Sequence, residues 1–537
     1  MSRTLLIRFW IVPKPYIEKI ENVGCEKMGK KFSVLFIVFI LIVSVIAGCS
    51  SQAGNGTTGT NSTKDTLTIG IPEAPAYMDP QIQATLASYR VTTQIFDRLV
   101  ALDNDMKIVP ALAESWKVEN PTTTVFHLRK GVKFHNGEEM KAEDVKFSLE
   151  RAIKSDGVNY NYLIIKDIII VDDYTIKIVT KQPFNALLYR LSLDAAAIVS
   201  KKAATSDKDF NKHPVGAGPY KFVSWDLGGD VVLEAFHDYY RGEPKVKKLI
   251  FKNIPEAINR SIGLETGEIG LAYDLGITDL DKVKNNKNLK VEEAASTTVY
   301  YLGFNTKKPN LDDVRVRKAI AYALNTKDII DIVFNGTATP AHNTMLPPNL
   351  FGSAPDTVTY EYNLDKAKSL LAEAGHPNGF KTTLWVPDTQ VLKSAAEVVQ
   401  GQLSKIGIDV EVKLMQSASF YSSTGKGEHD LAIMTKTSID PDSMLRAIYH
   451  SEAFGLSGNR SFWATKEVDA KLDKASATTD RNEAKKLYAE VQKTVADQLP
   501  VIPIAIEHIN AGMQSTVKGF NLYPGKTHSI YGTYFEK

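Results

Sequence analysis

Residues 112–151 read LAESWKVENPTTTVFHLRKGVKFHNGEEMKAEDVKFSLER, a stretch in which the hydrophobic pattern changes from that of strands to that of a helix. The segment VFHLRKGVKF at 125–134 predicts two strands joined by a tight turn. A helix is predicted over 142–153, because Glu143 and Asp144 stand at its positive end and apolar residues recur on one face. This order of elements indicates that strands and helices are mixed along the chain.

The same alternation continues towards the C-terminus. A strand at 383–386, a helix at 394–406 and a strand at 408–414 form a strand, helix, strand unit of an α/β lobe. Asn363 is predicted to cap a further helix, and a long helix is predicted around 482–498 before the chain returns to a sheet. The sequence therefore predicts the fold class α/β.

Composition excludes several classes of protein. The 537 residues are enough for several domains, and 43% hydrophobic with 23% charged residues excludes a disordered, collagen-like or polytopic membrane chain. The 64 Lys and Arg against 62 Asp and Glu give no electrostatic case for a dedicated nucleic-acid binder. Since the two cysteines, Cys25 and Cys49, both lie near the N-terminus, the body has no disulfide framework, Cys-based zinc site or catalytic thiol.

The N-terminal region carries an export pattern. Residues 32–46, FSVLFIVFILIVSVI, are apolar or small and follow Lys30 and Lys31. The run is shorter than the about 20 apolar residues of a membrane span. It ends in IAGC at 46–49, which resembles a bacterial lipobox and implies that Cys49 is acylated and begins the mature protein. A transmembrane anchor that ends in a chance cysteine is the alternative.

The first 64 residues are thus predicted to lie outside the folded body. We predict a lipoprotein signal peptide over 28–48, then the lipidated cysteine and a flexible Gly-, Ser- and Thr-rich linker over 49–64. Residues 1–27 resemble no part of an export signal, and we expect them to be a spurious N-terminal extension. The first 48 residues carry seven basic and three acidic side chains, so the mature chain has 57 and 59 and a net charge of −2.

No catalytic motif is present in the sequence. G-x-S-x-G, H-E-x-x-H and G-x-x-x-x-G-K-[ST] are absent, and no two histidines are three or four residues apart. Asp312 is predicted to open a helix over 313–324 rather than to serve chemistry. We therefore expect no catalytic residue, no cofactor and no metal. A metal site assembled from His429, His450 and others, or an exported enzyme with a dispersed catalytic cluster, remains open.

The segment at 112–151 closely resembles the signature of the family-5 extracellular solute-binding proteins, the peptide- and nickel-binding receptors of ABC importers. The order and spacing of further segments match the family from about 67 to 537. These segments are PVGAGPYKFVSW at 214–225, YLGFNTKKPNLDDVRVRKAIAYALN at 301–325, LDKAKSLLAEAGHPNGF at 364–380 and DRNEAKKLYAEVQKTVADQLPVIPI at 480–504.

The resemblance implies a two-lobed clamp like that of periplasmic binding proteins (type II, cluster C) with an extra inserted subdomain. The expected division has three parts: lobe I from 65–111 with 215–305 and 503–537, the inserted subdomain from 112–214, and lobe II from 306–502. Ligand is expected to bind between the lobes, and the closed complex to be delivered to a membrane permease with its ATPase. The protein is expected to be a monomer outside the cytoplasm, held on the outer face of the membrane by its lipid.

The expected pocket departs from the family at one loop. Many peptide-binding relatives carry W-x-x-D-x-x-D-P-D, and the first aspartate pairs with the α-amino group of the ligand. Here residues 434–442 read MTKTSIDPD, so Met434 replaces the tryptophan and Thr437 stands at the anchoring position. A neutral hydroxyl cannot give an ammonium the charge-assisted bond that a carboxylate gives. Asp440 is retained, although with Pro441 after it the residue is also typical of a helix N-cap.

Five further candidates complete the predicted ligand site. Tyr77, Trp385 and Asp388 occupy places where family members tend to meet ligand, and Arg446 could receive a carboxylate, as could Arg460. The expected ligand is a peptide or a similar small polar solute. A nickel chelate or an oligosaccharide in the same fold, and a sensory surface lipoprotein that imports nothing, are the alternatives.

Overall fold

The strands of the chain form one large mixed sheet and three small ones in the computed structural model, which describes residues 65–455 and 458–536. The predicted signal peptide, Cys49 and the linker lie outside these residues. Within the described ranges, every helix is too short or too polar to span a bilayer.

The strands are β1 Thr66–Ile71, β2 Val100–Leu102, β3 Ile108–Pro110, β4 Ala113–Asn120, β5 Thr123–Leu128, β6 Ile165–Asp172, β7 Thr175–Thr180, β8 Tyr220–Trp225, β9 Val231–Ala235, β10 Lys248–Asn253, β11 Leu271–Tyr273, β12 Leu289–Phe304, β13 Thr339–Pro340, β14 Lys381–Pro387, β15 Asp409–Met415, β16 Leu431–Thr437, β17 Val501–Gln514, β18 Val517–Lys518 and β19 Tyr534–Phe535. The helices are α1 Leu86–Ile95, α2 Ala142–Lys154, α3 Leu187–Leu191, α4 Lys201–Ser206, α5 Ala257–Thr266, α6 Leu280–Lys284, α7 Val314–Ala323, α8 Thr326–Phe334, α9 Leu364–Glu373, α10 Gln390–Ser404, α11 Ser417–Gly425, α12 Pro441–Tyr449, α13 Lys466–Ala477 and α14 Arg481–Gln498.

The large sheet runs through both lobes. Its strand order is β15, β14, β16, β12, β17, β11, β1, β10, β9, β8, and β13 pairs with β17 off this path. By the predicted division, the strands from β11 to β8 belong to the first lobe, and β14, β15 and β16 belong to the second. The two central strands, β12 and β17, are 16 and 14 residues long and pair antiparallel with each other. They therefore join the lobes without leaving the sheet.

The pairing of β12 with β17 is interrupted where the sheet passes from one lobe to the other. The register runs as far as Ala295 opposite His508 and resumes at Val299 opposite Ile506. Ser296, in the interrupted part, is buried, and its hydroxyl donates to Glu507 Oε2 at 3.2 Å. Its oxygen also accepts from the backbone N–H of Thr298 at 3.0 Å. Such an irregularity adds twist and lets a strand bend locally.

The second lobe contains the predicted strand, helix, strand unit. Strands β14 and β15 are parallel, and α10 connects them. Leu384, Val399 and Leu403 are fully buried in the same core, as the apolar spacing predicts. Asn363 caps α9 by accepting from the backbone N–H of Lys366 at 2.9 Å. These predictions are confirmed.

The segment 112–214 contributes a separate four-stranded sheet in the order β4, β5, β7, β6. Helix α2 packs on it through Val145 and Leu149. The second of the two strands predicted over 125–134 is wrong: after β5 the chain makes only an isolated bridge between Lys133 and Glu139. Gly131 and Gly137 have positive φ angles of 72° and 86°, which turn this segment into a loop. The exact boundaries of the inserted subdomain stay predictions.

Helix α7 begins one residue later than predicted. Asp313, not Asp312, is the N-cap, and its carboxylate accepts from the backbone N–H of Arg315 at 2.8 Å. Two residues after Arg315 on the same helix, Arg317 is 2% exposed and donates to four backbone carbonyls. These are the carbonyls of Gln498, Leu499, Leu311 and Asp312, at 2.7 to 3.1 Å. One guanidinium thus joins the ends of α7 and α14.

We predict that Arg317→Met lowers the free energy of unfolding by at least about 3 kcal/mol, because buried carbonyls lose their donors. The matched control is Arg315→Met on the same helix, since the Arg315 side chain is half exposed and pairs with Asp313. The control is expected to change stability by less than about 1 kcal/mol. Urea-induced unfolding measures both, and equal effects would contradict the role of Arg317.

Candidate functional site

A cavity of about 1130 Å³ lies between the two lobes. Its first-lobe wall comes from α1, the β2–β3 hairpin, α3 and the segment 519–532, and its second-lobe wall comes from 436–453. Cavities of this size, with a few polar groups set among apolar ones, are typical of ligand sites. The position between the lobes makes it the candidate binding site.

The second-lobe wall is built from the end of β16 and the start of α12. Asp440 is the N-cap of α12, with Pro441 at the first helical position, as predicted. Its carboxylate is 1% exposed and accepts from the backbone N–H of Ser443 at 2.8 Å and from the Ser443 hydroxyl. Much of the hydrogen-bonding capacity of Asp440 is therefore used within the lobe.

Thr437 lies at the last position of β16 and lines the cavity. It is opposite Thr298 of β12, and the two hydroxyl oxygens are 2.8 Å apart in a hydrogen bond. The anchoring position of the loop is thus neutral and already has a partner. It also lies beside the interruption of the β12–β17 pairing, so a ligand here would contact the junction of the lobes.

Arg446 also lines the cavity, but acidic residues of its own lobe surround it. Its guanidinium lies 2.9 Å from Asp473 and 3.5 Å from Asp442. Burial raises the pKa of Asp442, while the charge of Arg446 opposes this shift. The charge of Arg446 is therefore largely balanced before any ligand binds.

Three other predicted residues lie outside the cavity lining, and so does Arg460. The backbone N–H of Tyr77 donates to Ser88 Oγ at 3.0 Å at the start of the first lobe. The indole of Trp385 donates to Thr383 Oγ1 at 3.0 Å within β14. The side chain of Asp388 is exposed beyond β14. The structure thus brings Thr437, Asp440 and Arg446 together and leaves these three apart.

The first-lobe wall contains an ion pair that sequence reasoning missed. Arg98 Nη1 lies 2.5 Å from Asp194 Oδ1 and also donates to Thr93 Oγ1 at 3.2 Å. Burial raises the pKa of Asp194, and Arg98 opposes the shift. The two residues are 96 positions apart, so no local pattern could have paired them.

Polar contacts near α3 cross from the first lobe to the second. Arg190 of α3 points Nη1 to within 3.9 Å of Asp440 Oδ2. Nearby, the backbone N–H of Asn185 donates to the carbonyl of Ser476 at 2.8 Å. The segment around α3 therefore touches the second lobe at the edge of the cavity.

Another contact between the lobes is apolar. Met106, at the tip of the β2–β3 hairpin, has a φ of 60° and is 3% exposed. It packs in one core cluster with Val299 and Tyr301 of β12 and with Tyr449 of the second lobe. The only sequence signal was a lone methionine in the polar turn DNDMK at 103–107.

The histidines considered for a metal site do not form a cluster. Burial lowers the pKa of His429 to about 4, and His450 Nε2 lies 3.3 Å from Asp473. In residues 65–455 and 458–536, no three His, Cys, Asp or Glu side chains are arranged to hold a metal ion.

The sequence matches a family model along most of its length. The model of the bacterial extracellular solute-binding proteins, family 5, covers residues 107–455. The dipeptide-binding protein of Escherichia coli strain K12 is 31% identical over 85% of this chain and 92% of its own. The heme-binding protein A of Haemophilus influenzae is 31% identical over 91% and 96%.

A solved structure supports the same assignment. The ABC transporter-associated periplasmic binding protein DppA from Helicobacter pylori, in complex with the peptide STSA, superposes with a TM-score of 0.73 at 31% identity, over 88% of this chain and 98% of its own.

A cavity between two α/β lobes that share one continuous sheet defines a two-lobed binding protein, as predicted. The chain belongs to the family-5 bacterial extracellular solute-binding proteins. Its relatives are substrate-binding proteins that work outside the cytoplasm with ABC transporters, not enzymes. The predicted family, fold class and lack of enzymatic function are confirmed.

One histidine beside the cavity makes stability depend on pH. His528 Nδ1 accepts from the backbone N–H of Tyr523, a cavity residue, at 2.9 Å. The centroid of its ring lies 4.9 Å from that of the Tyr273 ring and 5.7 Å from that of the Phe520 ring. Burial lowers the pKa of His528 to about 3, and Arg90 adds to the shift. The folded protein therefore holds this ring neutral.

Below about pH 6.5 an unfolded chain protonates this histidine and the folded chain does not, so stability falls as pH drops from 6.5 towards 3. We predict that His528→Asn, which retains an acceptor near Nδ1, makes this fall less steep, by up to about 1.4 kcal/mol per pH unit. The control His237→Asn changes an exposed ring and should leave the slope unchanged. Denaturation midpoints between pH 7 and 4 test this, and parallel slopes for all three proteins would contradict it.

Proposed function

We propose that this chain is the substrate-binding lipoprotein of an ABC importer. It captures a peptide or a similar small polar solute between its lobes and delivers it to a membrane permease. The observation that carries the proposal is the cavity of about 1130 Å³ with walls from both lobes. The names of relatives that bind a dipeptide or the peptide STSA support the ligand class.

Binding between lobes can be converted into a shape that a transporter recognises. A ligand that contacts both walls favours the closed arrangement by its differential affinity for that state. The interruption of β12 between Ala295 and Val299 offers the place where a small change of twist would move one lobe against the other. Closure then excludes water from the ligand.

The ligand class is tested by thermal shift. Saturable stabilisation by short peptides, growing with peptide concentration as linkage requires, is the expected result. Stabilisation by nickel chelates or by oligosaccharides in the absence of any peptide effect would replace the peptide with one of these alternatives. Retention of signalling after loss of the permease would instead favour a sensory lipoprotein.

The role of position 437 gives a sharper prediction. Thr437→Asp places a carboxylate where a ligand ammonium can reach it, so the affinity for dialanine should rise about tenfold or more. Thr437→Asn is the matched neutral control and should give no gain. Calorimetric titration compares the three proteins. Equal affinities would contradict the placement of the amine anchor at this residue.

The proposed lipid anchor depends on Cys49. We predict that the mature wild-type protein starts at this residue, carries acyl mass and partitions into the detergent phase of Triton X-114. Cys49→Ser should move the protein to the aqueous phase, while Ser50→Ala should not. An aqueous, unacylated wild-type protein made in its own host would contradict lipidation.

A further inference from the structure

Lys436 is a basic residue on the second-lobe wall that has no acidic partner. It is the penultimate residue of β16, is half-buried and lines the cavity beside Thr437. Among the described residues, no carboxylate oxygen lies within 4.0 Å of its ammonium group, and its side chain donates no hydrogen bond to the protein. Its charge is therefore free to meet a ligand.

The acidic residues nearest to Lys436 are engaged elsewhere. Asp440 is held by Ser443 and faces Arg190, and Asp442 faces Arg446. Burial lowers the pKa of Lys436, Asp440 opposes the shift, and Arg190 adds to it. The protein surroundings thus hold this ammonium at a cost that an incoming anion would reduce.

The other basic side chains of the cavity all have protein acceptors. Arg98 pairs with Asp194, and Arg446 pairs with Asp473 and Asp442. Arg190 donates to Asn161 Oδ1 at 3.4 Å, and Arg241 donates to the carbonyl of Pro110 at 3.2 Å. Within the described part of the cavity lining, Lys436 is alone in lacking such a partner.

On the opposite wall, two carboxylates also lack a basic partner among the described residues. Asp97 and Asp103 line the cavity from the first lobe, and neither has a basic side chain within 4.0 Å in the described chain. Asp97 accepts from the Tyr239 hydroxyl at 2.9 Å, and Asp103 accepts from the backbone N–H of Lys107 at 2.9 Å. Of the charges that lack an ion-pair partner in the described lining, these two carboxylates repel an anionic group and Lys436 at the end of β16 attracts one.

We propose that Lys436 binds an anionic group of the ligand, so that this receptor selects a solute with a carboxylate or phosphate directed at the end of β16. The inference rests on the proposed function and narrows its ligand class. A free amine on the ligand is not required, because Thr437 beside Lys436 is neutral and hydrogen-bonded to Thr298.

Three probes and three variants test this. N-acetyl-dialanine has a carboxylate but no free amine, and dialanine amide has a free amine but no carboxylate. Inorganic phosphate represents the second kind of anionic group in the proposal. The variants are Lys436→Met, Lys436→Arg and the control Lys381→Met, a second-lobe lysine that is 89% exposed. Thermal shift and calorimetry measure binding, and native mass spectrometry of protein from its own host identifies any co-purified solute.

We expect N-acetyl-dialanine or phosphate, but not dialanine amide, to bind the wild-type protein saturably. Lys436→Met should weaken that binding at least tenfold, Lys436→Arg should retain most of it, and Lys381→Met should leave it unchanged. Competition by N-acetyl-dialanine indicates that the acidic group of the ligand is a carboxylate, and competition by inorganic phosphate indicates that it is a phosphate. A co-purified solute with an acidic group that is lost in Lys436→Met supports the proposal equally.

Two results would overturn the inference while leaving import intact. One is binding of dialanine amide that matches or exceeds that of the anions, and the other is a ligand, probe or co-purified, that binds wild type and Lys436→Met alike. A wild-type protein that retains no solute and binds no probe would contradict the proposed function itself and the inference with it. Unchanged circular dichroism of Lys436→Met excludes misfolding as the cause of lost binding.

Discussion

The antiparallel pairing of β12 with β17 is the interaction on which the rest of the structure depends. These strands carry the hydrogen bonds of the sheet from one lobe into the other, and both cores are packed against them. Their register is interrupted between Ala295 and Val299, where the buried Ser296 hydroxyl donates to the Glu507 side chain of β17. Strand β16 begins its own pairing with β12 at Thr298, beside this interruption. Thr437, which lines the cavity, is therefore paired with a residue at the junction of the lobes.

The contacts across the cavity differ in kind. Arg190 and Asp440 face each other at 3.9 Å in a long, largely buried ion pair, whose Coulombic gain is opposed by the desolvation of both groups. Met106 instead buries its whole side chain in the core of the other lobe. Burial of a methionine side chain contributes on the order of 1.5–3 kcal/mol relative to exposure. The apolar contact of Met106 therefore contributes more to holding the two lobes together than the ion pair does.

Local patterns predicted most of the fold. The unit from β14 to β15, the helix α14 and the caps at Asn363 and Asp440 follow from spacing and capping residues within one element. The errors arose where tertiary geometry decides: a loop replaced the second strand after β5, and Asp313 rather than its neighbour caps α7. The site was harder to predict, since the pairing of Arg98 with Asp194 and the lack of a partner for Lys436 depend on residues far away in sequence. Position 437 was found through a family pattern, and the residue before it was overlooked.

The continuous sheet also determines how the chain can be divided. A cut that separated the lobes would remove β12 or β17 from its partners and leave a long row of unpaired N–H and C=O groups on each fragment. Edges of that kind pair with other chains and aggregate. The lobes are therefore not modules that can be exchanged between receptors or expressed alone. New ligand preferences in such a scaffold must arise by substitution at the cavity walls, one side chain at a time.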